Sequence, residues 1–176
     1  MLNLLRKSAA RKRDGARLYD ALVVRARQPV FYRDLGTADS IDGRFDLVVL
    51  HAWMALTALR AADMGQAAQG LTDAVFVGFD EAMREQGAGD MGLGRKMKAF
   101  ANAFFGRMGA YEEAGQDRDA LAQALARNLY RGAVVDGRAL AMAEYVLAAP
   151  GHLAAGLPET LDFGPLPLIG PQGEAS

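Results

Sequence analysis

Hydrophobic positions along the chain recur mostly by threes and fours, the spacing of one face of a helix. Leu18, Ala21, Leu22 and Arg25 hold that step within a helix expected from about Leu4 to Arg27. Gln28-Pro29 closes it, because the residue before a proline avoids the α region. Pro29 suits the first turn of a short helix over Val30–Leu35, which Gly36 ends. Ser40 or Asp42 caps a helix from about Gly43 to Ala62, whose run from Phe45 to Leu59 leaves almost no polar face; such a helix is surrounded by others. After a weak stretch between Gly65 and Gly70, Val75, Phe76, Phe79 and Met83 line one side of a helix over Thr72–Glu85. A glycine-dense loop, Gly87 to Gly94, leads into a helix from about Leu93 to Glu113, along which Met97, Phe100, Phe104, Met108 and Tyr111 form the clearest amphipathic stripe. Asp117 caps a helix to Tyr130, and a last helix spans about Gly137–Ala148, stopped by Ala149-Pro150.

Ala133-Val134-Val135 is β-like but too short to found a sheet, and no 20–50-residue repeat is apparent. The pattern therefore predicts an all-α, single-domain bundle of about six or seven helices with an extended Pro/Gly-rich C-terminal tail. Its expected parts are a basic amphipathic N-terminal arm over 1–17, a helical domain over 18–149 and the tail over 150–176.

Composition narrows the function classes. At 176 residues and 18.8 kDa the chain is one domain, able to bury roughly 70% of its unfolded surface without staples. Cysteine is absent, which excludes a disulfide framework, a thiol nucleophile and Cys-ligated metals. Two histidines, His51 and His152, leave little for a His-rich metal site, so neither metal nor cofactor is expected. The net charge of −1 conceals an asymmetry: residues 1–27 carry eight Lys or Arg against Asp14 and Asp20, and the remainder carries twelve against nineteen acids. A basic arm on an acidic body points to an anionic surface, membrane or RNA. The strongest apolar run, Leu47–Leu59, has 13 residues, short of the about 20 a bilayer needs. Charges follow the N-terminal apolar patch instead of preceding it, so it is no secretory signal, although it is transit-peptide-like. The expected location is the cytoplasm, or the periphery of the inner membrane.

Each candidate site has a bland counterpart. Gly87, Gly89 and Gly92 spell GxGxxG but follow a helix, and the P-loop spacing Gly89–Gly94 is followed by Arg95 and Lys96 where Lys and Ser or Thr are required. Asp90 is a candidate N-cap. Arg95, Lys96 and Lys98 beside exposed amides suit an anion, yet equally describe a flexible connector with solvated cations. His51 is read as a hydrogen-bonded core histidine in preference to a ligand, and His152 is uninformative. Asp80/Glu81 and Glu112/Glu113 diverge around their helices, and Ser8, Ser40 and Ser176 fit no nucleophile elbow, so no catalytic set emerges. Leu2, Leu4 and Leu5 with Arg6, Lys7, Arg11, Lys12 and Arg13 fit a lipid leaflet, RNA or a solvated arm; charge alone does not separate these. The Met/aromatic stripe is core more readily than a peptide groove.

Four segments, Gln28-Pro-Val-Phe-Tyr32, Ile41-Asp-Gly-Arg-Phe-Asp-Leu47 running into Leu50-His51, Gly89-Asp-Met-Gly-Leu-Gly-Arg-Lys-Met-Lys98 and Ala103-Phe-Phe-Gly-Arg107, resemble in this order the ubiquinol–cytochrome c chaperone family. These are assembly factors of ubiquinol–cytochrome c reductase (complex III) in mitochondria and related bacteria, and the resemblance spans about Leu18 to Arg131. It implies an all-helical, non-enzymatic protein. Mitochondrial relatives act with a small partner protein near the ribosomal tunnel exit on newly made cytochrome b; a bacterial member is expected here. Cytochrome b or another complex III subunit is then the implied client, with the ribosome, a small partner protein or peripheral membrane as further contacts and no DNA. Within the matching segments Arg44, Asp90, Arg95, Lys96, Lys98 and Arg107 are candidates for an interaction face, because charged residues there need not serve the core. Two other function classes stand beside this one: an RNA- or ribosome-binding helical module, and an enzyme taking a phosphorylated ligand at the 87–98 loop.

Overall fold

The computed structural model describes residues 2–85, 87, 90–132 and 134–168, with side chains from Arg6 onward except those of residues 90 and 91. Seven helices make up the described chain: α1 (Leu2–Ala26), α2 (Pro29–Arg33), α3 (Ile41–Ala61), α4 (Gly65–Glu85), α5 (Asp90–Ala114), α6 (Arg118–Asn128) and α7 (Gly137–Gly156). No strand occurs among the described residues.

The all-apolar helix is the centre of the bundle. α3 buries Leu47, Val49, Leu50, Ala52, Leu56 and Leu59 on more than one side, and α1, α4, α5 and α7 all pack on it, with α6 bridging α5 and α7. Caps set the helix starts: Ser40 Oγ accepts from Gly43 N at 3.1 Å, Asp117 from Asp119 N and Ala120 N, and Asp136 from Arg138 N and Ala139 N. Each satisfies amides that the first turn leaves without partners. Gly36 turns the chain with φ +69° between α2 and α3.

α1 and α4 share the most extensive helix–helix contact. Gly70, Ala74 and Gly78 repeat every fourth residue and form a smooth groove on α4, against which Arg11, Gly15 and Tyr19 of α1 lie at the same spacing. A methyl group on Gly15 would overlap the Gly70 carbonyl, and one on Gly70 would lie 2.6 Å from the Arg11 carbonyl oxygen. The two backbones thus approach more closely than any side chain allows, the geometry of small-residue helix pairs.

The start of α4 and the end of α7 differ from the sequence expectation. α4 begins at Gly65, because Ala68 and Leu71 gain burial in the groove and tertiary packing overrides the weak propensity of the two glycines. α7 continues through Pro150 to Gly156; the lost backbone bond is tolerated because Ala149 and Leu153 on either side of the proline are fully buried. The segment after α7 begins with a turn over 157–159, runs on without regular structure to residue 168 and is strapped to α1. Arg17 donates to the carbonyls of Glu159 and Pro158, Arg25 Nη2 to those of Gly164 at 2.8 Å and Pro165 at 3.0 Å, and Leu161 and Phe163 are buried beneath.

Candidate functional site

The candidate residues divide between surface and core. Arg44, in the first turn of α3, is exposed and holds Asp39 Oδ1 at 2.8 Å. It lines an open hollow of about 490 Å³ with Arg27, Pro29, Tyr32 and Arg33. Arg95, Lys96 and Lys98 are exposed along the first turns of α5. Asp90 opens that helix, and its side chain lies outside the described residues. Residues 90–92, expected in the glycine loop, are helical, so α5 begins at Asp90 rather than near Leu93. Arg6, Lys7, Lys12 and Arg13 are exposed on the first half of α1, whereas Arg11 approaches Asp73 Oδ2 at 3.9 Å.

Arg107 points the other way. Its Nε lies 2.7 Å from Oδ1 of Asp46, and its guanidinium covers the Phe45 ring at 4.9 Å. The Asp46 side chain is fully buried, and a terminal nitrogen of Arg131 reaches its other oxygen at 2.9 Å. Both contacts are charge contacts rather than aligned hydrogen bonds. Arg131 arrives from the turn after α6 with φ +59° and also approaches Asp42 at 3.7 Å. Three elements are thus tied at one carboxylate. Desolvation pushes the Asp46 carboxyl up to about 6 in spite of the two guanidinium groups. The nearby Tyr111 and Tyr130 hydroxyls are raised well above the ordinary phenol value, chiefly by burial.

His51 anchors a second polar line. Its Nδ1–H donates to the Leu47 carbonyl at 2.7 Å, which leaves Nε2 to accept from the Tyr145 hydroxyl at 3.0 Å. Arg25 Nε donates to that hydroxyl at 3.0 Å, so the chain runs His51–Tyr145–Arg25 to the carbonyls of residues 164 and 165. Phe31 and Phe163 meet the imidazole edge-on, each at 5.1 Å. Burial lowers the His51 pKa to about 3 and keeps the ring neutral, and Tyr145 is pushed up to about 12 by the same cause. His51 is therefore a structural histidine joining α3, α7 and the tail.

The pKa shifts fix a pH dependence. The exposed imidazole takes its proton near 6.5, so the unfolded chain binds the extra proton between about pH 3 and 6.5. His51's contribution to stability is complete above 6.5 and is lost as pH falls through that window. Asp46 acts in the opposite sense: raised from 3.8 to about 6, it is protonated first in the fold, and stability rises as pH falls from 6 to 3.8. The two slopes oppose each other in wild type. Asp46→Asn removes the second, and its stability is expected to fall more steeply than wild type between pH 6 and 4, by up to about 1.4 kcal/mol per pH unit. Urea titrations at several pH values measure this; parallel profiles would contradict it.

The sequence pattern missed Asp46, Arg131 and Tyr145. The signal was available for the first: one carboxylate inside the apolar run of α3 has no polar face to occupy and must be buried with partners. Neither of the other two carries such a mark. Among the described residues no group of His, Asp and Glu could hold a metal ion, and no helix is long and apolar enough to cross a membrane.

Residues 33–162 match the family model of the ubiquinol-cytochrome C chaperone. The chain belongs to the ubiquinol–cytochrome c chaperone family. The crystal structure of the Cbp3 homolog from Brucella abortus is similar over 97% of each chain, with 33% identity and a TM-score of 0.76. No curated protein matches. Over its described residues the chain is thus a helical member of that family, and the match includes α3 to α7 together with Asp46, His51 and Arg107. The whole of α1, with its exposed cations, precedes the matched residues.

Proposed function

We infer that the chain is a non-enzymatic assembly chaperone for ubiquinol–cytochrome c reductase, acting on newly made cytochrome b or on another subunit of that complex. One observation carries the non-enzymatic part. The buried polar side chains that chemistry would use, Asp46, His51, Tyr145 and Arg107, are engaged in tying helices together. The family match supplies the client complex. The surface left for partners is exposed charge: Arg44 and Arg33 at one end of α3, Arg95, Lys96 and Lys98 on α5, and Arg6, Lys7, Lys12 and Arg13 on α1. On this reading the α1 group meets an anionic phosphate surface, whether the inner-membrane leaflet or ribosomal RNA, each cation contributing about 1 kcal/mol near a lipid surface.

A crosslinking pull-down from the native membrane fraction tests this reading. Cytochrome b or another complex III subunit is expected among the crosslinked proteins. Recovery of ribosomal RNA and ribosomal proteins alone, lost as salt rises, would favour the RNA-binding module instead.

A further inference from the structure

The outer face of α5 has no partner among the described residues. Arg95, Ala99, Asn102, Gly106, Gly109 and Glu113 follow one another by threes and fours and are all exposed, a stripe about 27 Å long at 1.5 Å per residue. Phe105 stands beside it with 57% of its surface exposed. A methyl group on Gly106 or Gly109 would meet nothing within 4 Å. These two glycines weaken the helix without the close backbone contact that Gly15 and Gly70 obtain between α1 and α4. The charges add a direction: Arg95 ends the stripe on one side and Glu113 on the other, and neither has an ion-pair partner among the described residues.

The stripe is symmetric in spacing about residue 104 and antisymmetric in charge. Turned end for end, it sets Arg95 opposite Glu113, Ala99 opposite Gly109 and Asn102 opposite Gly106. We propose that this face pairs with the same face of a second copy of the chain, α5 against α5 antiparallel about a two-fold axis near residue 104. A closed isologous contact of this kind satisfies both charged ends at once. The small residues let the two backbones approach, and Phe105 of each copy is covered at the flank. An acidic or basic client helix would match only one end.

Sedimentation equilibrium of the full chain between micromolar and several hundred micromolar, at low ionic strength where exposed ion pairs are least screened, tests the pairing. Wild type is expected to dimerise within that range. Arg95→Glu and Glu113→Arg, each alone, set like charges together and should weaken the dimer at least ten-fold. An equimolar mixture of the two, differently tagged, should recover mixed dimers with near-wild-type affinity. Gly106→Leu should abolish the dimer while the monomer keeps or raises its melting temperature, because the site is open in the monomer. A wild type that stays monomeric throughout, a mixture that forms no mixed dimer, or a Gly106→Leu variant that dimerises normally would each overturn the proposal.

Discussion

Replacing Gly15 with valine is expected to unseat α1 and cost at least about 3 kcal/mol, at the upper end of overpacking changes. The reason lies in what the new atoms meet. The obstacle at Gly15 is the Gly70 carbonyl and its backbone, which no rotamer change moves aside. α4 cannot retreat without lifting Leu71 and Val75 out of the core. A helical glycine exchanged at an open site behaves differently: Gly109→Ala should stabilise slightly, through propensity alone. Chemical denaturation of the two variants separates packing from propensity, and equal effects would contradict the close α1–α4 contact. Loss of α1 would also free the tail, since Arg17 and Arg25 hold residues 158–165.

The second large effect is expected at Asp46. Asp46→Ala leaves the mostly buried Arg107 guanidinium beside Phe45 without its carboxylate, while the half-exposed Arg131 keeps Asp42. Breaking a buried pair from one side costs about 3–5 kcal/mol, a large part of the 5–15 kcal/mol of a typical domain. Removing both charges should cost far less: Asp46→Ala with Arg107→Met leaves no uncompensated charge next to Phe45. A double-mutant cycle measures the coupling. If the double variant were as unstable as the sum of the two single ones, the pair would not be the link between α3 and α5 that its geometry indicates.

The fold was legible because nearly every helix carried its own signal. The apolar run of α3, the stripe of α5 and the capping residues Ser40 and Asp117 are local features that the bundle keeps. Beyond reach were the properties created by contact between distant segments. Gly70 looks like a breaker until α1 lies against it, and Pro150 looks like a stop until the burial of Leu153 is known. The candidate interaction residues show the same limit. Helical spacing gives Arg95 and Lys98 an outward position, but Arg107 resembles them in sequence and turns inward, because only the fold places Asp46 beside it. Tyr145 carries no sequence mark at all; its role comes from His51 and Arg25, which are remote in the chain.

The assembly role is tested most directly in cells from which the gene has been deleted, by comparing the amount of assembled complex III with that of the other respiratory complexes. The expected result is a specific loss of complex III, restored by the wild-type gene. Normal complex III in the deletion strain, under conditions where the respiratory chain is required, would contradict it.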